Sequence, residues 1–258
     1  MAKELKVALV QTELIWEDPD RNMEQLESLI QEVPSTVDLV VLPEMFTSGF
    51  TMTPETMPKE QGQHALQWML SLAAQNKVAV TGSVVFFDEG TYYNRLFFAR
   101  PNGTFEQYDK RHTFTLAGEH QKYTKGGHKL IVEYRGFKIC PLICYDLRFP
   151  VWSRNVEDYD VLLYVANWPA PRIKAWDILL QARAVENMAY TIGVNRIGTD
   201  QNGHEYVGHS AAYDALGNTL VHSKKAELLY VTLAKDHLLE TRQKLGFLKD
   251  RDQFHMET

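Results

Sequence analysis

Apolar positions along this chain take two forms, short continuous runs and stripes of helical spacing, and the two alternate. Residues 5–11 (LKVALVQ) make a near-continuous run, the pattern of a strand buried on both faces. Asp18-Pro19 follows as an N-cap with proline at the first helical position. Met23, Leu26, Leu29, Ile30 and Val33 then recur at i, i+3, i+4 spacing as one stripe. Residues 38–42 (DLVVL) predict a second buried strand that stops at Pro43-Glu44, since proline cannot donate to a sheet ladder. Leu66, Met69, Leu70 and Ala73 predict a helix over 64–76. Residues 78–87, 92–100 and 104–108 predict three strands, and the short turns at Asp88-Glu89-Gly90 and Pro101-Asn102-Gly103 make them an antiparallel meander.

In the second half, polar residues 109–128 predict a long loop, a class of segment that often carries function. Residues 130–134 and 137–144 form a hairpin around Arg135-Gly136. Residues 160–166 (DVLLYVA) predict a buried strand, 174–189 a helix and 190–194 a strand. Residues 207–214 predict one further strand, 219–222 and 228–233 are expected to pair with each other, and a charged helix runs from Asp236 to near Gly246. With no repeat and no Pro/Ser-rich linker, residues 1–258 read as one α/β domain with mixed sheets.

Composition narrows the classes. The 258 residues are 45% hydrophobic and 23% charged, which is ordinary globular usage. The net charge, 27 − 33 = −6, argues against a nucleic-acid partner, which draws a basic patch. Two cysteines are too few for a disulfide framework. No apolar stretch approaches the ~18–20 residues of a membrane span, and the run at 7–10 is short for a signal-peptide core. The expectation is a cytoplasmic protein without a membrane partner. Asn102-Gly103-Thr104 reads as a turn rather than a glycan acceptor.

Three polar residues fall where predicted buried strands end: Glu44, Lys110 and Cys144. In α/β folds the crevice at the carboxyl edge of the strands is where ligands bind. A carboxylate there can act as general base, an ammonium can hold a developing oxyanion, and a thiol can act as nucleophile. Such a set requires no metal and no cofactor. Each residue also has an ordinary reading. A cysteine in an apolar strand is commonly a small buried hydrophobe, which fits Cys140 best. A glutamate after a strand is commonly solvated, and Lys110 could belong to a basic loop. A disulfide or shared zinc between Cys140 and Cys144 fails on distance. Four steps along a strand separate their Cα atoms by ~13 Å, against roughly 4.4–6.8 Å for a bridge. A cysteine–histidine hydrolase using His112 or His120, and a non-catalytic interaction module, stand as rivals.

The segments DLVVLPE (38–44), DK (109–110) and CPLICYDLRFP (140–150) resemble the three catalytic regions of the nitrilase superfamily of carbon–nitrogen hydrolases. Asn94 in YYNRLFF, Gly126, AWDILLQARAVENMAY (175–190) and HSAAYDALGNTL (209–220) extend the resemblance over essentially the whole chain. The resemblance implies a four-layer α-β-β-α sandwich with two mixed β-sheets, a homodimer, and a Glu-Lys-Cys triad carried onto Glu44, Lys110 and Cys144. It further implies a second glutamate, best matched by Glu119 in LAGEH, and an oxyanion hole that uses the backbone N–H of Tyr145.

The longer stretches PEMFTSGF (43–50), YDKRHTF (108–114), CYDLRFPVWSRN (144–155) and YVANWPAPR (164–172) resemble the bacterial omega-amidase branch of that superfamily. The implied substrate is the terminal amide of 2-oxoglutaramate or 2-oxosuccinamate. An amidase for deaminated glutathione and a nitrilase are the alternatives within the superfamily. A short keto-acid amide needs a cation for its carboxylate. Arg172 is the first candidate, because it shares a strand edge with Cys144 if the two strands are neighbours. Arg148 is the second, and its ordinary reading is an ion pair with a structural carboxylate. Phe50, Phe114, Tyr145 and Trp168 are the expected walls. Val151, Trp152, Ala182, Val185 and Met188, and the tail over 236–258 with Leu238, Leu239, Leu245 and Phe247, are the candidates for a dimer interface.

Overall fold

The structure, a computed structural model, describes residues 3–254 and 256. Its elements follow the hydrophobic pattern closely. The first half contains β1 (Glu4–Gln11), α1 (Pro19–Gln31), β2 (Leu39–Val41), α2 (Gln61–Asn76), β3 (Ala79–Asp88), β4 (Thr91–Ala99), β5 (Phe105–Asp109) and the short α3 (Glu119–Lys122). The second contains β6 (Val132–Tyr134), β7 (Phe137–Ile143), α4 (Pro150–Ser153), β8 (Val161–Ala166), α5 (Ile173–Asn187) and β9 (Tyr190–Asn195). It closes with β10 (Ile197–Thr199), β11 (Glu205–Val207), β12 (Ser210–Tyr213), β13 (Thr219–Ser223), β14 (Glu227–Ala234) and α6 (Lys235–Leu245).

Two six-stranded mixed sheets result, with strand orders β14-β1-β2-β3-β4-β5 and β13-β12-β9-β8-β7-β6. Side chains alternate across a strand, so β1 serves both of its faces. Leu5, Val7 and Leu9 enter the core shared with the second sheet, while Ala8 and Val10 join Met23, Leu26 and Ile30 of α1 and Leu66 and Met69 of α2. The second sheet meets Trp176, Leu180 and Ala184 of α5. The layers are therefore helix, sheet, sheet, helix. Leu29 and Val33, the outer members of the α1 stripe, are half-buried at its margin.

Three expectations need correction. Residues 207–214 are not one strand: Gly208 and His209, both at positive φ (72° and 62°), break the run between β11 and β12. Residues 219–222 and 228–233 do not pair with each other: β13 pairs with β12 of the second sheet, and β14 pairs with β1 of the first along its whole length. Register with β1 buries Leu229, Val231 and Leu233 on the inner face, a gain that a local hairpin could not match. The 109–128 segment is not wholly loop, since a turn at Thr115–Ala117 and α3 lie within it.

Of the interface candidates, Trp152 and Met188 are core, while Val151 and Val185 are half-exposed. In the tail, Leu238 is fully buried, and Arg242 donates to the backbone oxygens of Met188 and Tyr159 (2.7 and 2.5 Å). These contacts fasten α6 to its own subunit. Residues 255, 257 and 258 of the tail lie outside the described residues.

Gly126 shows how tightly the segment after β5 is drawn in. Its N–H donates to Lys110 O (2.9 Å), and a Cβ built on it would stand 2.1 Å from Asp109 O. Backbone, not a movable side chain, would have to yield. Gly126→Ala is therefore expected to lower stability by about 1–3 kcal/mol, the usual cost of overpacking. Urea unfolding checks this as a lower midpoint at unchanged slope, and an unchanged midpoint would show that the two backbones separate without cost.

Candidate active site

The three strand ends named above meet in space. Glu44 follows β2, and its turn is held by Met45 N donating to Ser83 Oγ (2.9 Å) and Phe46 N donating to Ser83 O (3.0 Å). Lys110 follows β5, with its N–H on Asn94 O (3.0 Å). Cys144 follows β7 at the first position of a tight turn, with φ at +42°. That left-handed backbone is uncommon for a residue with a side chain.

Asp146 fixes this turn. Its buried carboxylate accepts from Ile143 N (3.0 Å), His112 N (3.0 Å) and the Tyr108 hydroxyl (2.7 Å), and lies 2.7 Å from His112 Nδ1. One side chain thus joins the Cys144 turn to the segment that carries Lys110. His112 is spent in this network and stacks on Phe149 at 3.7 Å, and His120 is exposed. Neither lines the cavity that Cys144 faces.

The polar centre is almost dry. Lys110 Nζ donates to Glu44 Oε1 and to both oxygens of Glu119, each at 2.9 Å. Lys110 is 1% exposed and both glutamates 0%. Asn94 Nδ2 donates to Glu44 Oε1 (2.8 Å) and to Glu119 Oε1 (3.3 Å). On the other oxygen, Asn167 N donates to Glu44 Oε2 (2.8 Å), and Asn167 Nδ2 donates to Glu44 O (2.7 Å). The Glu44 carboxylate is thereby held from two sides. Asn167 had the same strand-end signal as the other three, being the residue after β8; nothing in the hydrophobic pattern marked Asn94.

Burial shapes the charges. It alone would push the Lys110 ammonium down, but Glu119 and Glu44 outweigh it, and the net shift is upward. Burial raises Glu119, with Lys110 opposing and Glu44 adding. The Cys144 thiol is pushed well above its ordinary range, first by burial, then by the Glu44 carboxylate, with Lys110 pulling the other way. A thiolate there would be buried beside carboxylates, with Lys110 as its one opposing cation among the described residues. Cys140 is also raised by burial, but it lies inside β7 with no exposed surface.

A cavity of about 350 Å³ opens onto this centre. Lys110, Cys144, Tyr145, Phe50, Phe114, Trp168, Arg148 and Arg172 all line it. β7 and β8 are parallel neighbours, which brings the 167–172 segment beside Cys144. Arg148 lies over the Trp168 ring and Arg172 over the Phe114 ring, both at 5.0 Å. Trp168 is clamped by Asn195, whose Oδ1 accepts from Trp168 N (2.7 Å) and whose Nδ2 donates to Trp168 O (3.0 Å). Asp200, Asn202 and His204 of the β10–β11 connection, a segment without any periodic signal, and Tyr206 of β11 also line the cavity. No helix among the described residues is long and apolar enough to cross a membrane.

Comparison with known proteins shows the family. The carbon-nitrogen hydrolase family model matches residues 6–243. The omega-amidase YafV of Yersinia enterocolitica is 42% identical over 254 residues, covering 97% of this chain and 98% of that protein. The 2-oxoglutaramate amidase of Bacillus subtilis is 32% identical over 226 residues, covering 86% and 87%. Among solved structures, XC1258 of Xanthomonas campestris, a CN-hydrolase superfamily protein with an arsenic adduct in its active site, superposes with a TM-score of 0.95 at 39% identity, over 98% of this chain and 99% of that one.

The raised thiol gives a direct test. A thiolate alkylates and a thiol does not, so reaction at Cys144 should climb as pH approaches its elevated pKa from below. Iodoacetamide labelling followed by mass spectrometry should modify Cys144 alone in the native protein. Its rate should keep rising beyond about pH 8.5, where an ordinary cysteine is already half ionised. A plateau at or below that pH would contradict the buried, carboxylate-flanked setting.

Proposed function

The chain belongs to the carbon–nitrogen hydrolase family, and from that premise we propose that it is an omega-amidase, converting 2-oxoglutaramate or 2-oxosuccinamate to the 2-oxo dicarboxylate and ammonia through a thioester on Cys144. The observation that carries this reading is the pairing of the centre with the cavity. A thiol, a general base and an ammonium stand at one end, and two arginines facing the same space supply cations for a substrate carboxylate. The near full-length similarity to omega-amidase YafV supports the substrate class.

In this mechanism the Glu44 carboxylate takes the thiol proton as sulfur attacks the amide carbon. Charge moves from the carboxylate to the substrate oxygen, so no free thiolate has to persist in an already anionic site. Lys110 Nζ and the backbone N–H of Tyr145 hold the oxyanion. Glu44 returns the proton to the leaving nitrogen, and ammonia departs. Water enters, gives a proton to Glu44 and attacks the thioester; collapse releases the acid and restores the thiol. Glu119 keeps Lys110 charged and in place. Arg172, with Arg148 beside it, receives the α-carboxylate, and Phe50, Phe114, Tyr145 and Trp168 enclose the chain.

We further read the enzyme as a cytoplasmic homodimer. Ile178 and Val185, seven residues apart on one face of α5, and Val151 of α4 are about half-exposed apolar side chains. Val185→Glu is expected to shift the protein toward monomer in light scattering. An unchanged mass would move the interface elsewhere.

Ammonia release from 2-oxoglutaramate, 2-oxosuccinamate, deaminated glutathione, glutamine and simple nitriles tests the substrate. The two keto-acid amides should be turned over best; release only from another amide would replace the substrate while keeping the catalytic set. Glu44→Gln should lower kcat by about 10²–10⁴-fold, the usual worth of a general acid–base. Arg172→Ala should raise KM for 2-oxoglutaramate by roughly 10–100-fold, as expected for a lost charged hydrogen bond of about 1.5–3 kcal/mol. An unchanged KM would remove Arg172 from carboxylate recognition.

A further inference from the structure

A second cluster of ligand-forming side chains lies away from the cavity, where α5 meets the open edge of the second sheet. Asp177 projects from α5, His209 sits in the break before β12, and His222 is on edge strand β13. His209 Nδ1 lies 2.9 and 3.0 Å from the two Asp177 oxygens, so the carboxylate orients the ring. The backbone of His209 is also fixed, because Trp176 Nε1 donates to its carbonyl oxygen (2.8 Å). The His222 ring meets that of His209 edge-on at 4.9 Å, and among the described residues the His222 imidazole makes no hydrogen bond, its backbone pairing with Ala211 in the sheet. Three ligand atoms, one from each residue, lie within 4.8 Å of one another.

We propose that Asp177, His209 and His222 form a binding site for a transition-metal dication, zinc above all. Two imidazoles and one carboxylate are borderline donors, a set that suits zinc and disfavours calcium or magnesium, which take oxygen ligands throughout. Around zinc, with bonds of about 2.0–2.2 Å, tetrahedral ligand atoms stand about 3.4 Å apart, so atoms within 4.8 Å of one another have at most about 1.4 Å to close, and the Asp177–His209 pair has to open slightly. Rotation of His222, which is exposed, supplies it without moving backbone. The fourth position falls to water. A contact between one carboxylate and one imidazole explains the Asp177–His209 pair, but not a second imidazole held beside it with its nitrogens unused.

The site would tie together two elements that also present the cavity wall. α5 begins directly after Arg172, and Gly208 O, next to His209, accepts from the same Asn195 Nδ2 (2.7 Å) that holds Trp168. Metal binding is therefore expected to stiffen this corner and raise Tm.

The test titrates Co2+, then Zn2+, into full-length protein stripped with EDTA and carrying Cys144→Ser, so that the cavity thiol contributes nothing. One Co2+ per chain should bind with the visible absorption of a four- or five-coordinate ion, Zn2+ should displace it, and Zn2+ should raise Tm. Adding His222→Ala or Asp177→Asn removes a ligand and should weaken Co2+ binding by more than the roughly 10–100-fold that follows loss of a ligand's hydrogen-bonding partner alone. Neither substitution should change the metal-free Tm, or ammonia release when made in the otherwise unaltered enzyme. Absence of Co2+ binding, or binding undiminished in both variants, would overturn the proposal.

Discussion

One buried ammonium organises this molecule's chemistry. Among the described residues Lys110 is the sole cation within hydrogen-bonding reach of the buried Glu44 and Glu119 carboxyl groups, and without it any charge they carry would be uncompensated in a dry interior. Breaking such a cluster by removing one partner commonly costs about 3–5 kcal/mol, because a charge is left buried and unpaired. The strand ends, the 109–126 segment and the Asn94 and Asn167 amides are all arranged so that this cation stays where it is. Catalysis and folding therefore draw on the same contacts. Burial first, and the Glu44 carboxylate second, hold the neighbouring Cys144 thiol above its ordinary range, with Lys110 pulling the other way.

Much of the architecture was legible in the hydrophobic pattern, because strands buried on two faces and helices with one apolar stripe leave distinct periods. β1, β2, β8 and α1 were recoverable to within a residue or two for that reason. The partnership of β13 and β14 was not. Each is a plausible strand, and closeness in sequence suggested a hairpin, whereas register with β1, over two hundred residues away, decides the outcome. The break at Gly208-His209 was hidden for a related reason: Val207 and the apolar residues of 211–213 look like one run unless the left-handed backbone is known.

The site divides along the same line. Glu44, Lys110 and Cys144 announced themselves because polar groups at the ends of apolar strands are conspicuous. Asn167 carried the same signal at the end of β8 and was passed over, since an amide suggests no chemistry by itself. Asn94 lies mid-strand in β4, Asp200 to His204 lie in a polar turn and Tyr206 in the three-residue β11, where pattern carries no information. Their placement depends on which strands become neighbours, and that is a property of the folded sheets.

The two cysteines are four residues apart, and both rest as thiols, for different reasons. Cys140 has no surface to offer. Cys144 faces an open cavity, yet its proton is retained by burial and by the adjacent Glu44 carboxylate. Peroxide oxidises thiolates, so a thiol kept protonated is also shielded from oxidants. Many thiol enzymes hold a permanent thiolate beside a cation and accept oxidative inactivation as the consequence. In the proposed mechanism the sulfur is activated only when substrate arrives, so resistance to oxidants would follow from the same electrostatics that delay its ionisation.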